Sequence, residues 1–224
     1  MKVCVLIPTY NEAKTIGWLV RRIKDLGIKD IIVVDDGSTD NTAQIAQENG
    51  AEVLRNVLNQ GKGNSLKKGF SYCLEKDFDV IIAMDGDGQH SPEELPNFIN
   101  FFKQSQVDVI IGNRMHSPQS MPLLRLLTNK FMSKIISLLV NQKIPDTQCG
   151  LRLLKREVLE KIKLCTNNFE IESEILIEAV RKGFVVSSLP IKTIYLRESI
   201  SQINPVIDTL RFLKFILKKI IFRW

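Results

Sequence analysis

The first hundred residues alternate between short, continuous apolar runs and segments whose apolar residues recur at helical spacing. Residues 3–8 form such a run, as expected of a strand buried on both faces. Ile16, Leu19, Val20, Ile23 and Leu26 then fall on one face of a helix. Residues 31–34, 52–54, 80–84 and 107–111 read as further strands. Residues 40–48, 62–75 and 92–103 read as helices, the last with Pro92 in its first turn. Thr9 with Glu12 offers a capping box for the first helix, and Asp40 a cap for the second. This alternation predicts an α/β fold: a mostly parallel sheet flanked by helices. Beyond residue 111 the pattern is less regular. It predicts a mobile loop at 115–122, a helix at 122–140 and a turn at Pro145. A strand at 149–154, a helix at 170–182 and two short strands within 184–196 follow. There is no internal repeat and no Gly-, Pro- or Ser-rich linker. We therefore expect one domain over residues 1–202 and an appendage over 203–224.

Composition narrows the class. A chain of 224 residues buries a sizeable core without disulfides or a structural metal. With 44% hydrophobic and 25% charged residues, disorder is excluded. Cys4, Cys73, Cys149 and Cys165 form no CxxC pair, so a zinc ribbon or disulfide framework does not fit. His90 and His116 are too few for a multi-histidine metal site. Of the net charge of +6, residues 203–224 carry +4, five cations against Asp208, which leaves +2 for the rest. That is a near-neutral body with a basic tail, not a nucleic-acid-binding surface. No run of about 18 uncharged apolar residues predicts a transmembrane helix. The N-terminal apolar run is too short for a secretory signal, so a cytoplasmic location is expected.

In an open parallel sheet, ligands bind beyond the carboxyl ends of the strands. The polar clusters fall there: residues 8–12 (PTYNE), 35–38 (DDGS), 85–90 (DGDGQH) and 112–114 (GNR). Asp85 and Asp87, two apart after an apolar strand, suit a hard divalent cation, with Gln89 as a third oxygen. An EF-hand does not fit, because His90 stands where that loop needs glycine. Asp35 and Asp36 suit ribose hydroxyls or a base edge, or form a turn. Tyr10 stacks on a base or belongs to the core. Gly61-Lys62-Gly63 lacks the spacing of a P-loop and of GxGxxG. It either places a cation near a phosphate or only starts a helix.

Together these motifs resemble the family 2 glycosyltransferases of GT-A fold, and within them the dolichyl-phosphate mannose synthase-like group. The resemblance covers roughly residues 2–200. It rests on IPTYNE (7–12), DDGSTDNT (35–42), NQGKG (59–63), DGDGQHSPEE (85–94), GNR (112–114), DTQCGLR (146–152) and FEIESE (169–174). It implies inverting transfer of a hexose from a nucleotide sugar, of GDP-mannose or UDP-glucose type, to a polyprenyl or dolichyl phosphate. It places Pro8, Tyr10, Glu12, Val34 and Asp36 around the donor nucleoside, with Lys62, Met84 and Gly86 in the same donor site. Asp85, Asp87 and Gln89 are implied to handle Mg²⁺ or Mn²⁺ on the diphosphate. Arg114 is implied to reach a phosphate, Arg125 the acceptor phosphate, Arg197 the donor diphosphate, and Glu172 to be a site residue. Two departures stand out: DGD replaces the commoner DAD, and Gln202 occupies the position of a usual lysine.

A phosphate monoester, with its second pKa at about 6, is largely a dianion at neutral pH and needs placement more than a base. An alcohol acceptor would require a carboxylate such as Glu172 or Asp146 to take its proton. A HAD-type phosphatase also places DxD after a strand, but would leave the DDGS turn without a purpose. A glycosyltransferase acting on a soluble or glycan acceptor is the closer rival.

In the tail, Leu210, Leu213, Leu217, Ile220, Ile221 and Trp224 share one helix side. Asp208, Arg211, Lys214, Lys218, Lys219 and Arg223 fall opposite, interleaved with Phe212, Phe215 and Phe222. This predicts a helix lying in a lipid headgroup layer at the cytoplasmic membrane face. The alternative is a helix docked on the body or on an oligomeric or membrane-protein partner.

Overall fold

A computed structural model describes residues 1–116, 118, 121–192, 194 and 205–221. A seven-stranded sheet carries the site. Its strands are β1 (Val3–Thr9), β2 (Asp30–Asp35), β3 (Glu52–Arg55), β4 (Val80–Ala83), β5 (Val109–Asn113), β6 (Arg152–Lys155) and β7 (Val186–Pro190). The helices are α1 (Ile16–Asp25), α2 (Thr42–Glu48), α3 (Lys62–Glu75), α4 (Leu95–Gln104), α5 (Leu123–Leu139), α6 (Arg156–Lys161), α7 (Ile171–Arg181) and α8 (Pro205–Ile221). Short 3₁₀ turns precede α4 at Pro92–Glu94 and follow β5 at Arg114–His116.

The order across the sheet is β3-β2-β1-β4-β6-β5-β7. Every neighbouring pair is parallel except those made by β6, which runs antiparallel to both β4 and β5. The expected mostly parallel sheet is thus present, with one reversed strand inside it. The order turns around at β1, so the ends of β1 and β4 face a crevice at the switch point. β1 and β4 are continuous apolar runs because helices cover both faces of the sheet; Leu6, Ile7, Ile81 and Ile82 are fully buried. On α1, Ile16, Leu19, Val20 and Ile23 are fully buried, each contributing about 1.5–3 kcal/mol.

Several local expectations are corrected. Thr9 belongs to β1 and does not cap α1, which starts at Ile16 with Thr15 at the N-cap. Thr15 Oγ1 instead donates to the Gly86 carbonyl at 2.6 Å. Asp40 accepts the Thr42 N–H at 3.0 Å, so it caps α2 one residue before the geometric N-cap Asn41. The fifth strand is shifted to Val109–Asn113, and α6 is an element the apolar spacing did not announce. β7 is the first of the two strands expected within 184–196. In the rest of that span the described residues 191, 192 and 194 are not strand. Residues 117, 119 and 120 of the 115–122 loop, and both Arg197 and Gln202, lie outside the described residues.

The C-terminal helix corrects the expectation for its faces. Phe212, Phe215 and Ile216 are buried against the body, whereas Leu210, Leu217, Ile220 and Ile221 are exposed. The phenylalanines lie on the docking side because Lys219 lies there too. Its ammonium is buried and reaches Glu178 Oε1 at 2.7 Å and Glu174 Oε1 at 3.1 Å on α7. No helix among the described residues is long and apolar enough to cross a membrane.

Candidate active site

The turns after β1 and β2 are laced together before either can bind anything. Asn11, at φ 57°, accepts the Thr39 N–H at 2.9 Å, while its own N–H donates to Ser38 Oγ at 2.9 Å. The Glu12 N–H donates to Thr42 Oγ1 at 2.8 Å. The turn after β4 must then pass very close to β1. A Cβ at Gly86 would lie 2.6 Å from Thr9 Cγ2, so only glycine fits. This contact brings Glu12 and the Asp85–Asp87 pair to one wall of a cavity of about 1090 Å³.

Lys62, the first residue of α3, sits at the centre of the charged wall. Its Nζ lies 2.6 Å from Asp85 Oδ1 and 2.5 Å from Glu172 Oε1. Burial pushes the Lys62 ammonium down, but Asp85 and Glu172 outweigh it and hold it above the usual lysine range. Burial pushes Asp85 up, and Lys62 followed by His90 outweighs it, leaving that carboxyl well below the usual range. Asp87 behaves oppositely: burial, then the charge of Asp85, raise it. Burial and then Asp87 push Glu12 up to about 7. Glu12, Asp85, Asp87 and Glu172 thus set four carboxyl groups around the one ammonium of Lys62 in this wall.

Asp36 also borders the cavity, but its carboxylate is largely engaged. It accepts from Asn56 Nδ2 at 2.8 Å, the Gln60 N–H at 3.0 Å and the Gly61 N–H at 2.8 Å. One acceptor position of about four remains. Its neighbour Asp35 is fully buried and pairs with Arg55 Nε at 3.1 Å, away from the cavity. Arg114 is buried and lies bidentate on Asp146, with Nε–Oδ2 at 2.8 Å and Nη2–Oδ1 at 2.9 Å. Burial pulls Arg114 down and Asp146 more than restores it; the same pair holds Asp146 below its usual range.

The structure thus brings Pro8, Tyr10, Glu12, Asp36, Lys62, Asp85, Gly86, Asp87, Gln89, Arg114, Arg125 and Glu172 to one cavity. Val34 and Met84 are fully buried and contribute no surface to it. Arg197 lies outside the described residues.

Other residues to which no role was assigned stand in or behind the cavity wall. His90 is buried, with Nε2 3.7 Å from Asp85 Oδ2 and with Nδ1 lacking a partner among the described residues. Arg152, fully buried at the start of β6, donates to the Glu172 carbonyl at 2.7 Å and the Cys149 carbonyl at 2.6 Å. The reversal of β6 puts Arg152 opposite Ala83 and Ile111, at the site end of the sheet. Thr209 and Phe212 of α8 also line the cavity. A buried arginine closing the CGLR motif was the available signal for Arg152; none existed for the α8 residues.

The family model described as Glycosyl transferase family 2 matches residues 4–163. The chain belongs to glycosyl transferase family 2. It is a glycosyltransferase, and the phosphatase alternative falls with that assignment. An uncharacterised protein of Methanocaldococcus jannaschii is 36% identical over 98% of this chain and 93% of its own length. The UDP-N-acetylglucosamine–dolichyl-phosphate N-acetylglucosaminyltransferase of Methanococcus voltae is 29% identical, with 88% of each chain covered. The dolichol-phosphate mannosyltransferase of Pyrococcus furiosus is 36% identical over 80% of this chain and 53% of its own. Among solved structures, glucosyl-3-phosphoglycerate synthase from Mycobacterium tuberculosis in complex with Mn²⁺, UDP and phosphoglyceric acid has a TM-score of 0.78. It is 16% identical and covers 97% of this chain and 78% of its own. That likeness shows the GT-A-like fold of this glycosyltransferase.

Proposed function

We propose that this glycosyltransferase moves a hexose from a nucleoside-diphosphate sugar to the phosphate of a polyprenyl or dolichyl phosphate, with inversion. One observation carries the reading. Arg125 reaches the cavity from α5 and, among the described residues, pairs with no carboxylate. On the same helix, Leu123, Leu124, Leu127 and Phe131 are exposed. A cation with no carboxylate partner among the described residues, bordered by exposed apolar side chains, suits an anionic head on an apolar tail. The names of the Methanococcus voltae and Pyrococcus furiosus relatives support the same acceptor class.

The state of the acids also favours a phosphate over an alcohol. Glu172 is held by Lys62 and Asp146 by Arg114, so neither is a ready proton acceptor. A phosphate dianion needs none. On the donor side, Pro8, Tyr10 and Asp36 would border the nucleoside, and Lys62 and Arg114 the diphosphate. No three of His, Cys, Asp and Glu among the described residues form a ready cation cage. Asp85 and Asp87, with Gln89, nevertheless fit a divalent ion that completes its shell with donor phosphate oxygens, and the four carboxyl groups of their wall agree. Mg²⁺ or Mn²⁺ bound there would supply Lewis-acid neutralisation of the leaving diphosphate.

The exposed stripe of α8, flanked by exposed Arg211, Lys214 and Lys218, supports a peripheral seat on an anionic membrane face, the cytosolic one in this reading. Incubation with Mn²⁺, labelled GDP-mannose or UDP-glucose, and either short-chain polyprenyl phosphate or the free polyprenol tests the proposal. Transfer to the phosphate alone is expected. Transfer to the alcohol, or only to a soluble sugar, overturns it.

A further inference from the structure

We propose that Lys62 is the resident cation of the donor-free site, holding the position on Asp85 that a divalent ion takes, and that it passes to the donor diphosphate when donor and ion enter together. This deepens, and rests on, the nucleotide-sugar reading above. The Lys62 ammonium spends two of its three donors on Asp85 Oδ1 at 2.6 Å and Glu172 Oε1 at 2.5 Å. A divalent ion binding the same carboxylate at about 2.1 Å would press against that ammonium. The two cations therefore compete for Asp85.

Neither partner can evade the competition by a backbone shift. The Asp85 carboxylate is seated against Gly150, where a Cβ would lie 2.2 Å from Oδ2. The start of α3 is equally fixed. A Cβ at Gly61 would lie 2.5 Å from the Asn167 carbonyl oxygen, and one at Gly63 2.6 Å from the Asn167 carbonyl carbon. The long, unbranched Lys62 side chain is the readier of the two to move. A diphosphate arriving at the first turn of α3 offers it new anionic oxygens, and the helix N-terminus favours the same charge. Once Lys62 has turned to the diphosphate, Asp85 is free for the ion. Ion and nucleotide thus bind with positive coupling, which is reciprocal by linkage.

Mn²⁺ binding to the whole protein, followed by equilibrium dialysis and electron paramagnetic resonance with and without UDP or GDP and with the Mn²⁺–nucleotide complex subtracted from a protein-free control, tests this. Wild-type protein is expected to bind Mn²⁺ at least about tenfold more tightly when nucleoside diphosphate is present. Lys62→Met should bind Mn²⁺ alone about tenfold more tightly than wild type and show a correspondingly smaller coupling, the part left being direct ligation of the ion by the diphosphate. Lys14→Met removes a cation from the cavity lining that forms no ion pair with Asp85, and should change Mn²⁺ binding by less than about threefold. Wild-type protein that binds Mn²⁺ equally well with and without nucleotide overturns the proposal without recourse to any variant. So does Lys62→Met matching wild type in the absence of nucleotide. If no nucleoside diphosphate binds with or without Mn²⁺, the donor reading itself fails and takes this proposal with it.

Discussion

Arg114 and Asp146 form a buried, bidentate pair that ties the end of β5 to the segment entering β6, and the Arg114 backbone N–H adds a third bond at 3.1 Å. Because both groups are buried, removing one leaves the other charged and unsatisfied. Asp146→Asn should lower unfolding free energy by about 3 kcal/mol in urea titrations at neutral pH. The pH dependence has a definite sign. Asp146 is held below its ordinary range, so its contribution is complete above about pH 4 and disappears as pH falls through the lower, folded-state value. Wild-type stability should therefore drop on acidification below pH 4 more steeply than that of Asp146→Asn.

Glu12 gives the opposite slope. Burial and Asp87 raise its carboxyl to about 7 from an ordinary 4.5, so the folded chain without bound ion holds this proton more tightly than the unfolded chain. Stability should then rise as pH falls from 7 towards 4.5. Glu12→Gln should be the more stable protein at pH 8, by on the order of 1 kcal/mol after allowance for partial solvent screening, and should lose that advantage at pH 5. Thermal melts of both proteins in chelator check it. Equal melting differences at the two pH values would show that Glu12 titrates normally.

The sequence was informative where its signal is local. β1, β2 and β4 carry continuous apolar runs because the sheet is covered on both faces there, and the polar turns at the ends of these strands announce the crevice. The direction of β6 leaves no mark in an apolar run, so its reversal, which sets the buried Arg152 behind Glu172, was invisible. α6 spans Arg156–Lys161, too few residues to show a helical period. The motifs held the charged side chains but not their pairings: Lys62 and Glu172 are 110 positions apart. α8 carries two apolar stripes, and spacing alone does not say which is docked. The buried Lys219 decided it through acids on α7 that no local pattern connects to the tail.

That latch makes α8 part of the cavity wall rather than a detached appendage, since Thr209 and Phe212 line the cavity. Lys219→Met leaves Glu174 and Glu178 without their shared cation. Glu174 keeps the Cys165 and Thr166 N–H groups at 2.9 Å, so the loss falls mainly on the seat of α8. Limited proteolysis should release α8 about tenfold faster, equivalent to about 1.4 kcal/mol of docking energy. The KM for the proposed polyprenyl-phosphate acceptor should rise while donor affinity stays unchanged. Unaltered proteolysis would mean that Phe212, Phe215 and Ile216 seat the helix without the ion pair.

Gly150 offers the sharpest separation of chemistry from folding. Its position faces Asp85: an added Cβ would lie 2.2 Å from Oδ2, 2.6 Å from Cγ and 2.7 Å from Oδ1. The atoms met belong to a side chain, not to backbone, and no positive φ is recorded at this glycine. Gly150→Ala can therefore be accommodated by turning the Asp85 carboxylate away, with a stability change of less than about 1 kcal/mol. That turn breaks the Lys62 contact and misdirects the group proposed to face the donor diphosphate. A displacement of about 1 Å at a positioned group lowers turnover on the order of a hundredfold. Gly150→Ala should thus melt close to wild type yet lose about two orders of magnitude in kcat/KM for sugar transfer. A variant that keeps both its melting temperature and its activity would show that the carboxylate of Asp85 has no fixed place in the reaction.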